Sequence, residues 1–171
     1  MKEKFINAYM ETAKTFAKLS SAKRLQVGAI VVKDDRIVSI GYNGMPAGWD
    51  NTCEDKEYAL GHAEAWLKNG MIDERWPLVE YQGEFNDQKV NYRLITKPEV
   101  LHAESNAISK LAKSSESGAG AALFVTHSPC LDCAKLIYQS GITVVYYHEN
   151  YRDSKGIEFL KKSGIKVLQV Q

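Results

Sequence analysis

Two short blocks restrict what this chain can fold into more than anything else in it: Leu101-His102-Ala103-Glu104 and, further on, Ser128-Pro129-Cys130-Leu131-Asp132-Cys133. Cys130 and Cys133 stand one helical turn apart, and Pro129 suits the position at which a helix begins. His102 and Glu104 open an apolar-periodic run through Ala107, Ile108, Leu111 and Ala112, so they too project from a first helical turn. A fold that serves both blocks has to bring two helix N-termini together over one point. The same helix ends favour thiolate, the form of cysteine that binds metal.

One imidazole and two thiols are the inventory of a zinc site with three protein ligands, whose fourth position stays open to water as in catalytic rather than structural centres. Glu104 lies two residues from His102 and can take the proton of that water without ligating the metal. A structural zinc knuckle, or a helix that carries two cysteines by chance, explains the Cys-x-x-Cys spacing alone. Neither explains it together with His-x-Glu, and the combined pattern is that of zinc-dependent nucleobase deaminases.

Length and charge narrow the class further. A chain of 171 residues is long enough for one well-buried domain and too short for two comfortable ones. Its 22 Lys and Arg nearly balance 21 Asp and Glu, for a formal net charge of +1. A surface that grips nucleic acid usually carries a basic surplus, so a small-molecule substrate is expected and a nucleic-acid partner is not. No apolar stretch approaches the ~20 residues of a membrane span, and the N-terminus has no apolar leader core, so a soluble cytoplasmic protein is expected. Three cysteines, two of them committed to metal, agree with a reducing compartment.

Along the chain, Phe5, Ile6, Tyr9, Met10, Ala13, Phe16 and Ala17 recur at helical spacing and predict an amphipathic helix over 2–19. Strands are expected over 26–32 and 37–42, joined by a turn at Lys33-Asp34-Asp35-Arg36. The loop Gly41-Tyr42-Asn43-Gly44-Met45-Pro46-Ala47-Gly48 lets backbone approach a ligand closely, and Asn43 can donate to and accept from a sugar hydroxyl; a plain connecting loop is an equal reading. After the His102 helix, a Ser/Gly-rich link over 113–120 leads to a strand over 121–126, a helix over 130–139, a strand over 142–147, a helix over 154–162 and a last strand over 165–170. This alternation argues for parallel pairing, and for five strands with helices on both faces.

The stretch from about 50 to 98 carries no clear period, except that Tyr58, Ala63, Trp66 and Leu67 suggest a short helix over 58–67. That segment holds a second His-Ala-Glu, His62-Ala63-Glu64, which no apolar run and no Cys-x-x-Cys helix follows; it is rejected as the catalytic triplet. His62 and Cys53 are candidates for a second, structural metal, but further ligands at matching spacing are absent, and an exposed histidine and a buried thiol are preferred.

Several runs together resemble the deoxycytidylate deaminase family: Val27-Gly28-Ala29-Ile30-Val31-Val32; Gly41-Tyr42-Asn43-Gly44 with Pro46 and Gly48; His102-Ala103-Glu104-Ser105-Asn106-Ala107-Ile108; and Pro129-Cys130-Leu131-Asp132-Cys133-Ala134-Lys135, followed by Gly141-Ile142 and Val144-Val145-Tyr146. The resemblance implies a three-layer α/β/α fold with a five-stranded mixed sheet, in a single domain over 1–171 with an insertion at about 50–98. It implies hydrolysis of dCMP to dUMP, which feeds thymidylate synthesis. His102, Cys130 and Cys133 would bind Zn2+, Glu104 would shuttle protons, Asn43 would contact the deoxyribose, and Ala103, Arg24 and Tyr151 are further substrate contacts, the last two at the phosphate. Some viral members carry a cysteine near position 21 that joins a structural zinc; Ser20-Ser21 stand there in this chain.

Relatives with the glycine loop are homo-oligomers, commonly hexamers, activated by dCTP with Mg2+ and inhibited by dTTP. The resemblance makes Gly44, Pro46, Gly48 and Trp49 candidates for that second pocket. The alternatives are a deaminase of dCTP or of a cytosine nucleoside, and a deaminase of tRNA or single-stranded DNA, against which the near-zero charge counts.

Overall fold

A computed structural model of the chain describes residues 1–58, 78–81, 88–151 and 153–171. The described elements are α1 (Glu3–Ala17), β1 (Gly28–Lys33), β2 (Arg36–Tyr42), β3 (Glu54–Tyr58), β4 (Leu78–Tyr81), β5 (Gln88–Thr96), α2 (Ala103–Ala112), β6 (Ala122–His127), α3 (Leu131–Gln139), β7 (Val144–Glu149), α4 (Lys155–Lys162) and β8 (Lys166–Gln169). Five strands form a mixed sheet in the order β2-β1-β6-β7-β8, antiparallel across β2-β1-β6 and parallel across β6-β7-β8. This is the expected three-layer architecture.

The layering follows from the two-residue period of the strands. Ala29 and Val31 of β1, Leu123 and Val125 of β6, and Val145 and Tyr147 of β7 face one side, where they pack with Ala103, Ala107 and Leu111 of α2, Ala134 and Ile137 of α3, and Leu160 of α4. Ile30, Val32, Ala122, Phe124 and Tyr146 face the other side and pack with Met10 and Ala13 of α1. Phe124 stacks on Tyr146 with ring centroids 4.6 Å apart, and Tyr9 closes over Phe124 at 5.3 Å. Both faces are covered, so these strands read as unbroken apolar runs. Among the described residues no helix is long and apolar enough to cross a membrane.

The β1-β2 hairpin turns through Asp34 (φ 50°) and Asp35 (φ 56°), the left-handed pair that a two-residue turn needs to match the strand twist. Gly41 of β2 lies so close to α2 that a Cβ there would stand 2.1 Å from the Ala103 carbonyl oxygen. Close approach, rather than turn chemistry, requires that glycine.

Within the unreadable segment the structure holds a second sheet, antiparallel, in the order β3-β5-β4. The expected helix over 58–67 is corrected at its first residue: Tyr58 ends β3, opposite Tyr92 of β5, and the remainder of that reading, His62-Ala63-Glu64 included, lies outside the described residues. Cross-strand pairs hold β3 to β5. Glu57 meets Arg93 as an ion pair, Lys56 lies 4.9 Å over the Tyr92 ring, and Tyr58 packs on Tyr92 at 5.9 Å.

Candidate metal centre and its cavity

His102 and Cys130 are the N-caps of α2 and α3, each in extended conformation, with φ −76° and ψ 153° for His102 and φ −69° and ψ 169° for Cys130. Their side chains therefore leave the chain just ahead of two helices whose unpaired N–H groups favour negative charge. Cys133 follows one turn into α3. Cys130 was expected to be the first helical residue; it caps the helix instead, because its carbonyl already accepts from Ala134 N–H (2.9 Å) while its own backbone stays extended.

The local fold holds these ends by hydrogen bonds. Gly44 N–H donates to the Leu101 carbonyl (3.1 Å) and Leu101 N–H returns to Gly44 (2.9 Å), so the glycine loop is bonded to the residue just before His102. Asn106 Nδ2 donates to the Tyr42 carbonyl and Ser39 Oγ to the Ala107 carbonyl, which fasten α2 to β2. On the other side Ser128 N–H donates to the Glu149 carbonyl (2.8 Å), and the buried Ser128 Oγ accepts from Tyr151 N–H (2.7 Å). Gly156 of α4 lies against the ligand block, and a Cβ there would stand 2.0 Å from the Pro129 carbonyl oxygen.

The ligating atoms of His102, Cys130 and Cys133 all lie within 4.8 Å of one another. His102 Nδ1 is 3.6 Å from Cys130 Sγ and 3.4 Å from Cys133 Sγ. A tetrahedral zinc with bonds of about 2.3 Å to sulfur and about 2.0 Å to nitrogen has N···S edges of roughly 3.5 Å, so the donor set fits that ion in kind and in size. Cys133 is buried, Cys130 partly so, and His102 is exposed. Hydrogen bonds from Cys133 and then His102 draw the Cys130 thiol down to about 4, whereas Cys133 is pushed up, first by donating to Cys130 and then by burial. The Cys130 contact raises His102.

Glu104, in the first turn of α2, is only 4% exposed, and desolvation raises its pKa above the ordinary carboxylate value. It lines a cavity of about 580 Å3 together with His102, Ala103 and Cys130. Arg24, Asn43 and Tyr151 line the same cavity. Gly44, Pro46, Gly48 and Trp49 do not; Trp49 N–H closes a turn onto the Pro46 carbonyl (3.0 Å), Gly48 takes φ 86°, and Trp49 is 57% exposed.

Asn43 has a part that its sequence context did not reveal. Its Oδ1 accepts from Val27 N–H and its Nδ2 donates to the Leu25 carbonyl, both at 2.8 Å, so the amide shapes the loop before β1. Ser128, Thr96, Lys97 and Lys155 also line the cavity and were not foreseen. Only Ser128 carried a signal, its place beside Pro129-Cys130; the others arrive from the second sheet and from α4. Cys53 is fully buried against Ala22 and Val100, with Sγ 3.4 Å from Ser21 Oγ.

Comparison with known proteins agrees with this geometry. Residues 3–149 match the family model described as the cytidine and deoxycytidylate deaminase zinc-binding region. The deoxycytidylate deaminase of Enterobacteria phage T4 is 36% identical over 157 residues, covering 85% of this chain and 79% of the phage protein. ComE operon protein 2 of Bacillus subtilis is 33% identical over 164 residues, covering 95% of this chain and 69% of that one. The crystal structure of the dCMP deaminase of cyanophage S-TIM5 in complex with dCMP and dUMP superimposes with a TM-score of 0.73 at 39% identity, over 99% of each chain.

Proposed function

The chain belongs to the cytidine and deoxycytidylate deaminase family, and we propose that it hydrolyses dCMP to dUMP and ammonia, the reaction of its phage relatives. The observation that carries this reading is the cluster of His102, Cys130 and Cys133, the first two of which share a cavity with the buried carboxylate of Glu104. His102, Cys130 and Cys133 would hold zinc, and Glu104 would serve as the catalytic acid and base. Zinc, when bound, supplies the Lewis acidity that makes water a nucleophile near neutral pH.

Glu104 accepts a proton from the attacking water and hands it to N3 of the cytosine, which leaves C4 electron-poor. Water oxygen adds at C4, and the carboxylate passes the second proton to the exocyclic amine, so that the C4–N bond breaks and ammonia departs. Burial suits Glu104 to this double duty, since desolvation raises its carboxyl above the ordinary carboxylate value and so makes it a better proton acceptor. Arg24, Asn43, Ala103 and Tyr151 all line the cavity; Arg24 and Tyr151 would take the phosphate, Asn43 would offer its second N–H to the deoxyribose, and Ala103 would contact the substrate.

The proposal extends to regulation and assembly: a cytoplasmic homo-oligomer, most simply a hexamer, activated by dCTP with Mg2+ and inhibited by dTTP. What supports the regulatory part is the backbone bridge between Gly44 and Leu101, which ties any movement of Gly44, Pro46, Gly48 and Trp49 to the residue before His102. An effector that binds two loop arrangements unequally by about 1–3 kcal/mol changes apparent substrate affinity roughly 5- to 150-fold.

The test is a comparison of substrates. Purified protein is given cytidine, dCMP, dCTP and a cytosine-containing oligonucleotide while ammonia and cytosine absorbance are followed. Deamination is expected to be fastest on dCMP, and preference for the triphosphate or the oligonucleotide would remove the dCMP assignment. Rates over a range of dCMP, with and without each triphosphate, test the regulation; a hyperbola unmoved by either nucleotide removes it.

A further inference from the structure

The wall of the cavity that carries Arg24 and Leu25 has no regular secondary structure, and its described polar contacts run largely to side chains. Ala22 N–H donates to Ser20 Oγ (3.1 Å), Val27 N–H to Asn43 Oδ1 (2.8 Å), and the Leu25 carbonyl accepts from Asn43 Nδ2 (2.8 Å). Two further N–H groups converge: Lys23 and Arg24 both donate to one oxygen of Glu54, each at 3.0 Å. Glu54 is 7% exposed and is the first residue of β3. A buried carboxylate has to be matched by donors, and here the donors are two consecutive peptide groups of the cavity wall.

The second sheet touches this wall again one strand over. Arg24 Nη1 donates to Thr96 Oγ1 (3.1 Å) at the end of β5, and Lys97 N–H donates to the Cys53 carbonyl (2.9 Å), next to Glu54. Glu54 therefore fixes the backbone of Arg24 while Thr96 fixes its guanidinium, and both come from the same sheet. An arginine carries several rotatable bonds, and holding it at both ends before substrate arrives lowers the ordering cost of binding.

We infer that Glu54 is a positioning residue, which with Thr96 holds Arg24 ready for the substrate phosphate. The inference rests on the reading of Arg24 as a phosphate contact. Its role is in binding, so the loss should fall on KM with kcat largely kept, because phosphate contacts are made alike in ground state and transition state.

The experiment measures KM and kcat for dCMP, and zinc content, in Glu54→Ala, Glu54→Gln, Thr96→Val and Arg24→Ala. Glu54→Ala is expected to raise KM roughly 10-fold or more, the size of one lost charge-assisted hydrogen bond, with zinc content unchanged. Glu54→Gln keeps an oxygen that accepts from both N–H groups and should stay within about threefold of the parent. Thr96→Val, which keeps the shape and drops the acceptor, raises KM in the same direction and carries the test should Glu54→Ala fail to fold. An unchanged KM in Glu54→Ala and Thr96→Val, beside a raised KM in Arg24→Ala, overturns the role of Glu54 alone. An unchanged KM in Arg24→Ala overturns the phosphate reading beneath it. Joint loss of zinc and kcat in Glu54→Ala would make the residue merely structural, as would failure of the glutamine to rescue.

Discussion

Gly156→Ala sets two physical effects of opposite sign against each other. Gly156 lies in the first turn of α4, and alanine in place of glycine ordinarily favours a helix by about 1 kcal/mol. Here the added Cβ would stand 2.0 Å from the Pro129 carbonyl oxygen and 2.9 Å from the carbonyl carbon and oxygen of Cys130. Ordinary contact begins near 3.4 Å, so α4 and the Pro129-Cys130 backbone have to part by about 1.4 Å. Backbone atoms cannot rotate aside as a side-chain tip can, so the strain falls at the upper end of the overpacking range, about 3 kcal/mol. The net loss is then about 2 kcal/mol, which for a domain of this size lowers Tm by roughly 4–8 °C. The same shift displaces Cys130, whereas metal–ligand distances tolerate only about 0.2 Å. Zinc affinity should fall roughly 10- to 100-fold, as when groups that orient a ligand are removed. Calorimetry with and without chelator, and zinc titration against a fluorescent competitor, read the two effects separately. A raised Tm or an unaltered zinc affinity would refute the steric argument and leave helix propensity as the ruling effect.

Glu104→Gln keeps the shape and removes the proton acceptor; kcat is expected to fall by 10²–10⁴ or more, with zinc still near one per chain, and a variant that keeps a tenth of parental turnover would contradict the role. Glu64→Gln, in the rejected triplet, should leave the chemical step nearly intact in the same assay. Cys130→Ser should lose zinc by elemental analysis and melt at lower temperature, because metal binding and folding are linked; full occupancy would point to other ligands. In metal-free protein Cys130, with its thiol near 4, should be alkylated by iodoacetamide ahead of buried Cys53 and Cys133. The reaction should persist from neutral pH down to about 5 and fade only as pH approaches 4, where the thiolate takes up its proton; mass mapping that finds Cys53 or Cys133 modified first would refute the assignment.

What could be read from the sequence was whatever depends on near neighbours. The offsets from His102 to Glu104 and from Cys130 to Cys133 are local, and a helix start converts them directly into direction. Strands β1, β6 and β7 were legible because both of their faces are buried. β3 was not: its sequence, Glu-Asp-Lys-Glu-Tyr, has no apolar alternation, and it is held by backbone pairing and by cross-strand partners such as Arg93 and Tyr92. The helix expected from Tyr58 onward fails at that residue, because an aromatic side chain suits a strand as well as a helix and Tyr58 pairs with Tyr92. Glu54 and Asn43 were opaque for a related reason. The groups that define them are peptide N–H and C=O groups at positions 16 to 31 residues away, and every residue type but proline offers an N–H.

The sequence Asn43-Gly44 also carries a chemical clock. Asparagine followed by glycine ages when the glycine nitrogen attacks the side-chain carbonyl carbon, closing a cyclic imide that opens to aspartate or isoaspartate. In the folded chain that nitrogen holds its hydrogen toward Leu101, and the Asn43 amide is tied at both ends to Val27 and Leu25, so neither reactant can turn to the other. The hydrogen bonds that shape the cavity wall thus also preserve the covalent identity of the residue that makes them. A chain that has once unfolded and aged would return with an anion facing the Leu25 carbonyl, and its refolding would be spoiled at the substrate pocket first.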